Sequence, residues 1–174
     1  FIEQELGKKN NVTTIHSSYI EIRSIAKKNQ LIFDFMLIDL GANIEHFKNA
    51  DRGFSIKNPG PLDMRFDQSK WMSLAQWFAQ SHWNDLMDCF MKYADMWIKN
   101  AQQLAFNLLK EYRSQKPQTT TELVNILKKM WYSDHRIAVI FQAFRITVNR
   151  ELDQAELFFD HVIDNLSVWW RIAI

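Results

Sequence analysis

The fold is decided by one apolar stretch, Leu31 to Gly41, whose sequence is LIFDFMLIDLG. The run from Leu31 to Leu40 is almost continuously apolar, which is typical of a strand buried on both faces of a parallel sheet. Before it, Val12 to His16 is a short β-type run, and Ser17 or Ser18 can cap an intervening helix. We therefore predict a strand, helix, strand unit of the α/β class over residues 1–41.

After Gly41 the pattern changes twice. Residues 42–68 lack a helical period and are rich in glycine and proline, which predicts a long loop of the kind that often carries function. Beyond Ser69, apolar residues recur at helical spacing. Two predicted apolar stripes consist of Trp83, Leu86, Met87, Phe90 and Met91, and of Trp97, Ala101, Leu104, Ala105 and Leu108. The predicted helical segments are the end of one at Phe1–Lys9, then Met72–Gln80, one capped by Ser81, Asp95–Glu111, one capped by Thr119 with Glu122, His135–Arg150 and Glu151–Asp164.

The order of these segments predicts a parallel-sheet domain that is interrupted by a helical insertion. The chain is helix-dominated overall, and Arg171 to Ile174 predict the start of a further strand. The expected organisation is an α/β unit at 1–41, a motif loop at 42–68, a helical insertion at 69–140, and return helices with the start of a strand at 141–174.

Composition narrows the class of protein. The chain has 174 residues, 47% of them hydrophobic, so a sizeable core is expected. A net charge of +1 argues against a strong sequence-independent grip on nucleic acid. The single cysteine, Cys89, excludes a disulfide framework and a cysteine-based zinc cage, and its apolar neighbours predict a buried thiol. Without a bilayer-spanning apolar run or a signal-peptide pattern, a cytoplasmic or organelle-matrix protein is expected, and we favour the cytoplasm.

Five sequence strings carry a distinctive pattern. Asp39-Leu40-Gly41 is followed by ADRGFS at Ala50–Ser55 and by GPLDMRFD at Gly60–Asp67. FQAFRI at Phe141–Ile146 and VNREL at Val148–Leu152 come later. In this order and spacing, the strings resemble the RsmH (MraW) family of ribosomal RNA cytosine-N4 methyltransferases over essentially the whole chain.

The resemblance implies a fold, a reaction and a partner. The fold would be a partial Rossmann-like methyltransferase sheet with a large, mostly α-helical inserted domain that recognises RNA. The reaction would be methylation of a cytosine N4 in 16S-type small-subunit ribosomal RNA, with S-adenosylmethionine as the methyl donor. Small-subunit ribosomal RNA would be the partner, and the tryptophan and phenylalanine content is also compatible with a homodimer face.

Three positions match the family's donor contacts outside its Gly-rich loop. Tyr19 stands where the family has Phe, Asp39 matches directly, and His46 stands where the family usually has Gln. Asp39 is also the candidate catalytic residue, since a strand-end carboxylate can accept a hydrogen bond from the target amine. From the residues alone, Asp39 can instead cap the next turn, and Tyr19 and His46 can be ordinary helix-face and loop residues.

Two further groups of polar residues are candidates for substrate contact or for shaping the loop. Arg52, Asp63 and Arg65 lie in the motif loop and either pair with one another or meet RNA phosphate; we favour a role in loop structure. Gln142, Arg145 and Asn149 follow i, i+3, i+7 spacing, so they share one face of a helix. In the family this segment packs near the active-site loop, whereas an isolated helix would leave the face solvated.

The chain also departs from the family pattern. It contains no GxG-type segment, and the family's Gly-rich donor loop would precede Phe1. Ala42-Asn43-Ile44 replaces Val-Ser-Ser, and Trp169-Trp170 replaces a Gly-Gly pair before the last strand. We therefore expect residues 1–174 alone to bind S-adenosylmethionine weakly or not at all.

The alternative function is a non-catalytic helical module that binds RNA or a protein. Its mark would be RNA affinity that falls steeply with salt. A solvated helix face is the simpler explanation of the cations concerned. They are Lys99, Lys110, Arg113, Lys116, Lys128, Lys129 and Arg136.

Overall fold

The computed structural model describes residues 12–162 and 166–173. The predicted helix end at Phe1–Lys9 lies outside this range. The strands are β1 Phe33–Leu37 and β2 Leu166–Ala173. The helices are α1 Ile22–Asn29, α2 Ile44–Lys48, α3 Leu74–Gln80, α4 Trp83–Tyr93, α5 Ile98–Gln115, α6 Thr120–Lys129, α7 Asp134–Asn149 and α8 Glu151–Val162, with 3-10 turns at Tyr19–Glu21 and Ala50–Arg52.

The chain divides into two compact units. The sheet unit comprises the residues up to Asp39 and from Leu152 onward, and the helical unit comprises Leu40–Glu151. The segment 141–174, which the sequence pattern groups as one, is therefore divided at Glu151, because α7 packs into the helical core. The functional meaning of the segments stays a prediction.

The sheet unit contains a parallel pair of strands. β1 pairs with β2 in the register Phe35 with Arg171 and Leu37 with Ala173, after an irregularity that follows Phe33. The predicted strand is present, although it is shorter than Leu31–Leu40. The prediction that both of its faces are buried is wrong for the described residues, because β1 pairs there with β2 alone and only Met36 is buried.

Two local predictions in the sheet unit have different outcomes. Val12 to His16 was expected to be a β-type run, but it forms no strand and has no described partner strand to pair with. Ser18 does precede a helical segment, which begins as the 3-10 turn Tyr19–Glu21 and continues as α1. α1 ends where Gln30 adopts a left-handed conformation, with φ of 53°. Met36, Phe158 and Val162 form the small core of this unit.

The helical unit encloses a larger core. The predicted apolar stripes bury Leu86 and Phe90 on α4 and Leu104 and Leu108 on α5, whereas Trp97 remains exposed. Phe144 on α7 is fully buried among aromatic rings. Each predicted helix after Ser69 is present with a boundary shifted by a few residues. No helix in the described ranges is long and apolar enough to cross a membrane.

The predicted helix caps are only partly correct. Thr119 caps α6 by accepting from the Glu122 amide at 3.3 Å. The Glu122 carboxylate accepts from the Gln118 amide, so the reciprocal bond is displaced by one residue. Ser81 was expected to cap α4, but His82 occupies that position. The Ser81 hydroxyl instead donates to the Trp77 carbonyl at 2.7 Å.

Candidate functional site

The motif loop, residues 42–68, is held together by the close approach of its two signature segments. A Cβ atom on Gly53, whose φ is +68°, would lie 1.9 Å from the Pro61 carbonyl oxygen. A Cβ atom on Gly60 would lie 1.9 Å from the Ala50 carbonyl oxygen. These contacts explain why both positions are glycine. The loop also contains the short helix α2 and a 3-10 turn, which its sequence does not reveal.

Asp63 and Arg65 form an ion pair inside this loop. Arg65 donates Nε to Asp63 Oδ1 at 2.8 Å and Nη2 to Oδ2 at 2.9 Å, and Gln68 donates to the same carboxylate at 3.1 Å. Burial alone would raise the pKa of Asp63, but the hydrogen bonds from Arg65 and Gln68 bring it below its ordinary value. Both charges are therefore used within the loop.

Arg52 also binds the loop backbone. Its Nη2 atom donates to the carbonyl oxygens of Arg65 and Phe66, each at 2.7 Å. Its buried Nε atom has no hydrogen-bond partner among the described residues. The guanidinium thus joins the RGFS segment to the end of the GPLDMR segment, and this contact accounts for the Arg at this position.

Asn149 fixes the loop to α7. Its amide is 1% exposed and makes three contacts. It donates to the Met64 carbonyl at 2.7 Å and to the Arg145 carbonyl at 2.9 Å, and it accepts from the Phe66 amide at 2.6 Å. Because a buried amide is costly when left unpaired, this network defines where the loop lies on the helix.

Arg145 lies one turn before Asn149 and binds Glu151. The two side chains form a bidentate pair at 2.8 and 3.1 Å. Burial raises the pKa of Glu151, and the hydrogen bond from Arg145 opposes that effect. A Cβ atom on Gly41 would lie 3.5 Å from Arg145 Nη2, so the start of the loop lies beside this pair. Gln142, the third predicted residue of this face, is exposed on α7.

His46 lies on α2 against two aromatic rings, Phe54 and Phe66, which stack on each other with centroids 5.6 Å apart. Asn43 and His46 form a reciprocal capping box, in which the Asn43 amide donates to His46 Nδ1 at 3.2 Å. The imidazole centroid is 5.1 Å from that of Phe54 and 5.0 Å from that of Phe66. Burial, followed by the charges of Arg52 and Arg145, lowers the pKa of His46. With Nδ1 as an acceptor, the neutral ring presents an N–H at Nε2.

Tyr19 and Asp39 belong to the sheet unit. Tyr19 is half-buried and packs edge-on against Phe158, with ring centroids 5.8 Å apart. Asp39 is exposed two residues after the end of β1, where Ile38 donates its amide to the Ala173 carbonyl at 3.0 Å. Asp39 is therefore at the carboxyl end of a parallel strand, the position at which open α/β sheets bind ligands.

The structure brings one group of the predicted residues together. His46, Arg52, Asp63, Arg65, Arg145 and Asn149 all belong to one network in the helical unit, whereas Tyr19 and Asp39 lie on the sheet unit. The sequence analysis missed Phe54 and Phe66 as partners of His46, and it missed Glu151 as the partner of Arg145. The i, i+6 spacing of Arg145 and Glu151 spans a helix break at Arg150, so helical periodicity could not reveal the pair.

A separate cleft in the helical unit has a volume of about 350 Å³. Its lining includes Trp77, Asp85, Lys92 and Cys89. Cys89 is buried, as predicted, and burial raises the pKa of its thiol to about 12. A thiol in that state is a poor nucleophile at neutral pH, so this cleft offers no activated cysteine.

The fold and its strand-end carboxylate define a class of protein. Two parallel strands are separated in sequence by a helical unit, and a carboxylate follows the first of them, as in α/β proteins that bind ligands at strand ends. A comparison with protein families then identifies the chain more closely. The model of the MraW methylase family matches residues 2–174, and the chain belongs to this family.

Curated relatives agree with this assignment. Each of the following is named ribosomal RNA small subunit methyltransferase H. The protein of Vesicomyosocius okutanii subsp. Calyptogena okutanii (strain HA) is 34% identical over 95% of this chain and 55% of its own length. That of Mycoplasma genitalium is 32% identical over 96% of the chain and 57% of its own length, and that of Coprothermobacter proteolyticus is 31% identical over 100% and 59%. The chain thus spans somewhat more than half the length of these relatives.

Membership of a methyltransferase family implies S-adenosylmethionine as the donor. The described residues fit one part of such a site. Asp39 presents an exposed carboxylate at the end of β1, and Gly41, with φ of +100°, lets the backbone turn away directly after it. The sequence has no GxG segment to receive the rest of the donor. Asp39 and the ring of Tyr19 are the groups in the sheet unit that this chain offers to it.

Proposed function

We propose that this chain takes part in S-adenosylmethionine-dependent methylation of small-subunit ribosomal RNA, with a cytosine N4 as the acceptor. The observation that carries the proposal is the position of Asp39 at the carboxyl end of a parallel strand in a chain that matches the family model from residue 2 to residue 174. We further propose that β1 and β2 belong to a Rossmann-like sheet. Because the substrate is ribosomal RNA, the proposal also assigns the reaction to the cytoplasm.

The proposed chemistry gives Asp39 a defined task. Cytosine N4 is a poor nucleophile because its lone pair is delocalised into the ring. S-adenosylmethionine supplies an electrophilic methyl group on a sulfonium. The Asp39 carboxylate accepts a hydrogen bond from the N4 amine and so orients it. As the new N–C bond forms, the S–CH3 bond breaks to leave a neutral thioether, and the amine proton passes to the carboxylate. Tyr19 contributes an aromatic surface against which a flat group can pack.

The proposal gives the motif loop a positioning role. Its charges are paired or bound to backbone: Asp63 with Arg65, and Arg52 with two carbonyl oxygens. These contacts favour the interpretation that the charged motif residues shape the loop. In the proposal, the loop holds His46 on α2, where the neutral ring offers an N–H to S-adenosylmethionine or to the RNA.

Methyl transfer from labelled S-adenosylmethionine to small-subunit ribosomal RNA tests the proposal. The full product of the reading frame is used, and the variant Asp39→Asn is compared with Asp34→Asn, an exposed carboxylate on β1 itself. We expect Asp39→Asn to lower the rate by about 100-fold or more and Asp34→Asn to leave it unchanged. Equal rates for both variants, or label in a position other than cytosine N4, would contradict the proposed role of Asp39 or the proposed acceptor.

Donor binding provides a second test. Because residues 1–174 contain no GxG segment, calorimetry of this chain with S-adenosylmethionine should show weak binding or none. Micromolar affinity would contradict that expectation. A Gly-rich strand-to-helix turn encoded upstream of Phe1 would support the enzyme interpretation. The homodimer remains a proposal that sedimentation of the same sample can test.

A further inference from the structure

Two tryptophan side chains at one end of the helical unit are almost fully exposed to solvent. Trp97 is 84% exposed and immediately precedes α5. Trp131 is 96% exposed in the turn between α6 and α7. Burial of such a side chain is worth several kcal/mol, and these two indoles are the most exposed aromatic rings among the described side chains.

A left-handed residue lies at or near each of the two tryptophans. Trp131 has φ of +66°, a left-handed conformation that is strained for a bulky residue. Asp95, two residues before Trp97, is also left-handed, with φ of +46°. Arg136 on α7 donates to the Asp95 carbonyl at 3.3 Å, so the loop before α5 and the turn before α7 lie at the same end of the unit. The Trp131 conformation is the left-handed turn that ends α6, in which the amides of Trp131 and Tyr132 donate to the carbonyl oxygens of Lys128 and Leu127.

Positive charge flanks both rings. Residues 95–99 and 128–136 together contain four Lys or Arg residues and two carboxylates, so this end has a surplus of positive charge although the whole chain is nearly neutral. Lys128 is paired with Asp134 at 3.0 Å. Lys99 and Lys129 are exposed and flank Trp97 and Trp131, respectively, at a distance of two residues in sequence. Exposed aromatic rings between cations are the pattern of single-stranded nucleic-acid surfaces.

We propose that Trp97 and Trp131 form a contact surface for unpaired RNA, on which each indole stacks with a base while Lys99 and Lys129 meet phosphates. The inference rests on the proposed function, because that function supplies ribosomal RNA as the ligand class. It adds the residues that hold the strand outside the reacting nucleotide. A protein partner is disfavoured, because the exposed rings are interspersed with cations, whereas protein-binding hot spots are depleted in lysine.

Binding of a short RNA to the whole chain tests the inference. Fluorescence anisotropy of a labelled, unpaired RNA of about 12 nucleotides is measured for the wild type and for Trp97→Ala and Trp131→Ala. We expect each substitution to weaken binding at least about fivefold, and the Phe variants to stay within about twofold of the wild type. Trp97→Leu and Trp131→Leu keep apolar area without a ring, so they should bind as weakly as the Ala variants.

Phe106→Ala provides the matched control. Phe106 is 60% exposed on α5 and is outside the proposed surface, so its loss should leave RNA binding unchanged. Replacing Lys99 and Lys129 together by Gln should reduce the slope of log affinity against log salt by about 1.4. An RNA duplex should bind with little dependence on either tryptophan. Because both rings are exposed, circular dichroism and melting of the variants should match the wild type.

Several outcomes would overturn the inference. Leu variants that bind like the wild type would show that apolar area, and not stacking, is used. Trp131→Ala that converts a dimer to a monomer without weakening RNA binding would assign the surface to a second copy of the chain. Absence of RNA binding by the wild type would contradict the inference directly. If tryptophan-dependent RNA binding is found but no methyl transfer occurs, the inference stands and the proposed function fails. If methyl transfer occurs but RNA binding does not depend on the tryptophans, the proposed function stands and the inference fails.

Discussion

The two units of the chain are stabilised in different ways. The helical unit buries whole aromatic rings, among them Phe78, Phe90 and Phe144, each 0% exposed. The sheet unit has a small core around Met36 and Phe158, while Leu37 on β1 is 73% exposed. Side-chain packing therefore dominates the stability of the helical unit, whereas backbone pairing of β1 with β2 contributes much of the order in the sheet unit.

The largest expected effect comes from removing a buried aromatic ring from the helical unit, and removal of a ring from the sheet unit serves as the comparison. Phe144→Ala deletes a side chain that contacts four other aromatic rings, so we expect a loss of about 3–5 kcal/mol in the free energy of unfolding. Phe35→Ala removes a ring that is 57% exposed on β1, and the loss should be below about 1 kcal/mol. Urea unfolding followed by circular dichroism measures both. Similar losses in the free energy of unfolding for the two variants would show that the two units depend equally on side-chain packing.

The next largest effect concerns the glycines of the motif loop. Gly53→Ala places a methyl group 1.9 Å from a carbonyl oxygen at a positive φ, so both a clash and backbone strain oppose folding. We expect a loss of about 3 kcal/mol. Gly41→Ala has positive φ as well, but the atoms nearest to the added methyl group would lie at ordinary contact distance, so a loss of about 1–2 kcal/mol is expected. Thermal melting of the two variants should differ; equal values would mean that the close approach of the two segments is relaxed in solution.

The helices could be predicted from the sequence because their signals are local. Apolar residues at i, i+3 and i+4 define the stripe of α4, and Pro117 marks the break between α5 and α6. The burial of β1 could not be predicted in the same way. An apolar run is compatible with a buried strand, but the number of strands beside it is a tertiary property that the run itself does not encode.

The sequence predicted which residues belong to the candidate site, but it did not predict which of them contact one another. The sequence strings single out Arg52, Asp63 and Asn149, yet nothing in their spacing shows that Asn149 contacts Met64 and Phe66 from a distant helix. Such long-range hydrogen bonds depend on how α7 packs. The exposure of Trp97 was missed for a related reason, since helical periodicity assigned it to the buried stripe although it precedes the first turn of α5.

A smaller effect is expected for the ion pair of the motif loop. The pKa of Asp63 is lowered in the folded chain, so its stabilising contribution is present above its ordinary value of 3.8 and is lost as the pH falls through the folded-state value. Asp63→Asn should therefore unfold with less dependence on pH below about 4. Urea unfolding between about pH 3 and 7 gives the comparison. If Arg65 causes the lowered pKa of Asp63, the variant Arg65→Gln should already show a flatter dependence of stability on pH. The double variant Arg65→Gln with Asp63→Asn should then show the same dependence as Arg65→Gln alone.

The smallest expected effect concerns His46, which belongs to the helical unit. Burial, then Arg52 and Arg145, lower the imidazole pKa below 6.5. The unfolded chain therefore binds a proton at a higher pH than the folded chain, so stability is full above about pH 6.5 and decreases as the pH falls toward the folded-state pKa. His46→Gln should lose this dependence while keeping the side chain polar. Proton NMR titration of the His46 ring measures the pKa directly, and a value at or above 6.5 would show that the ring lies in water and not against Phe54 and Phe66.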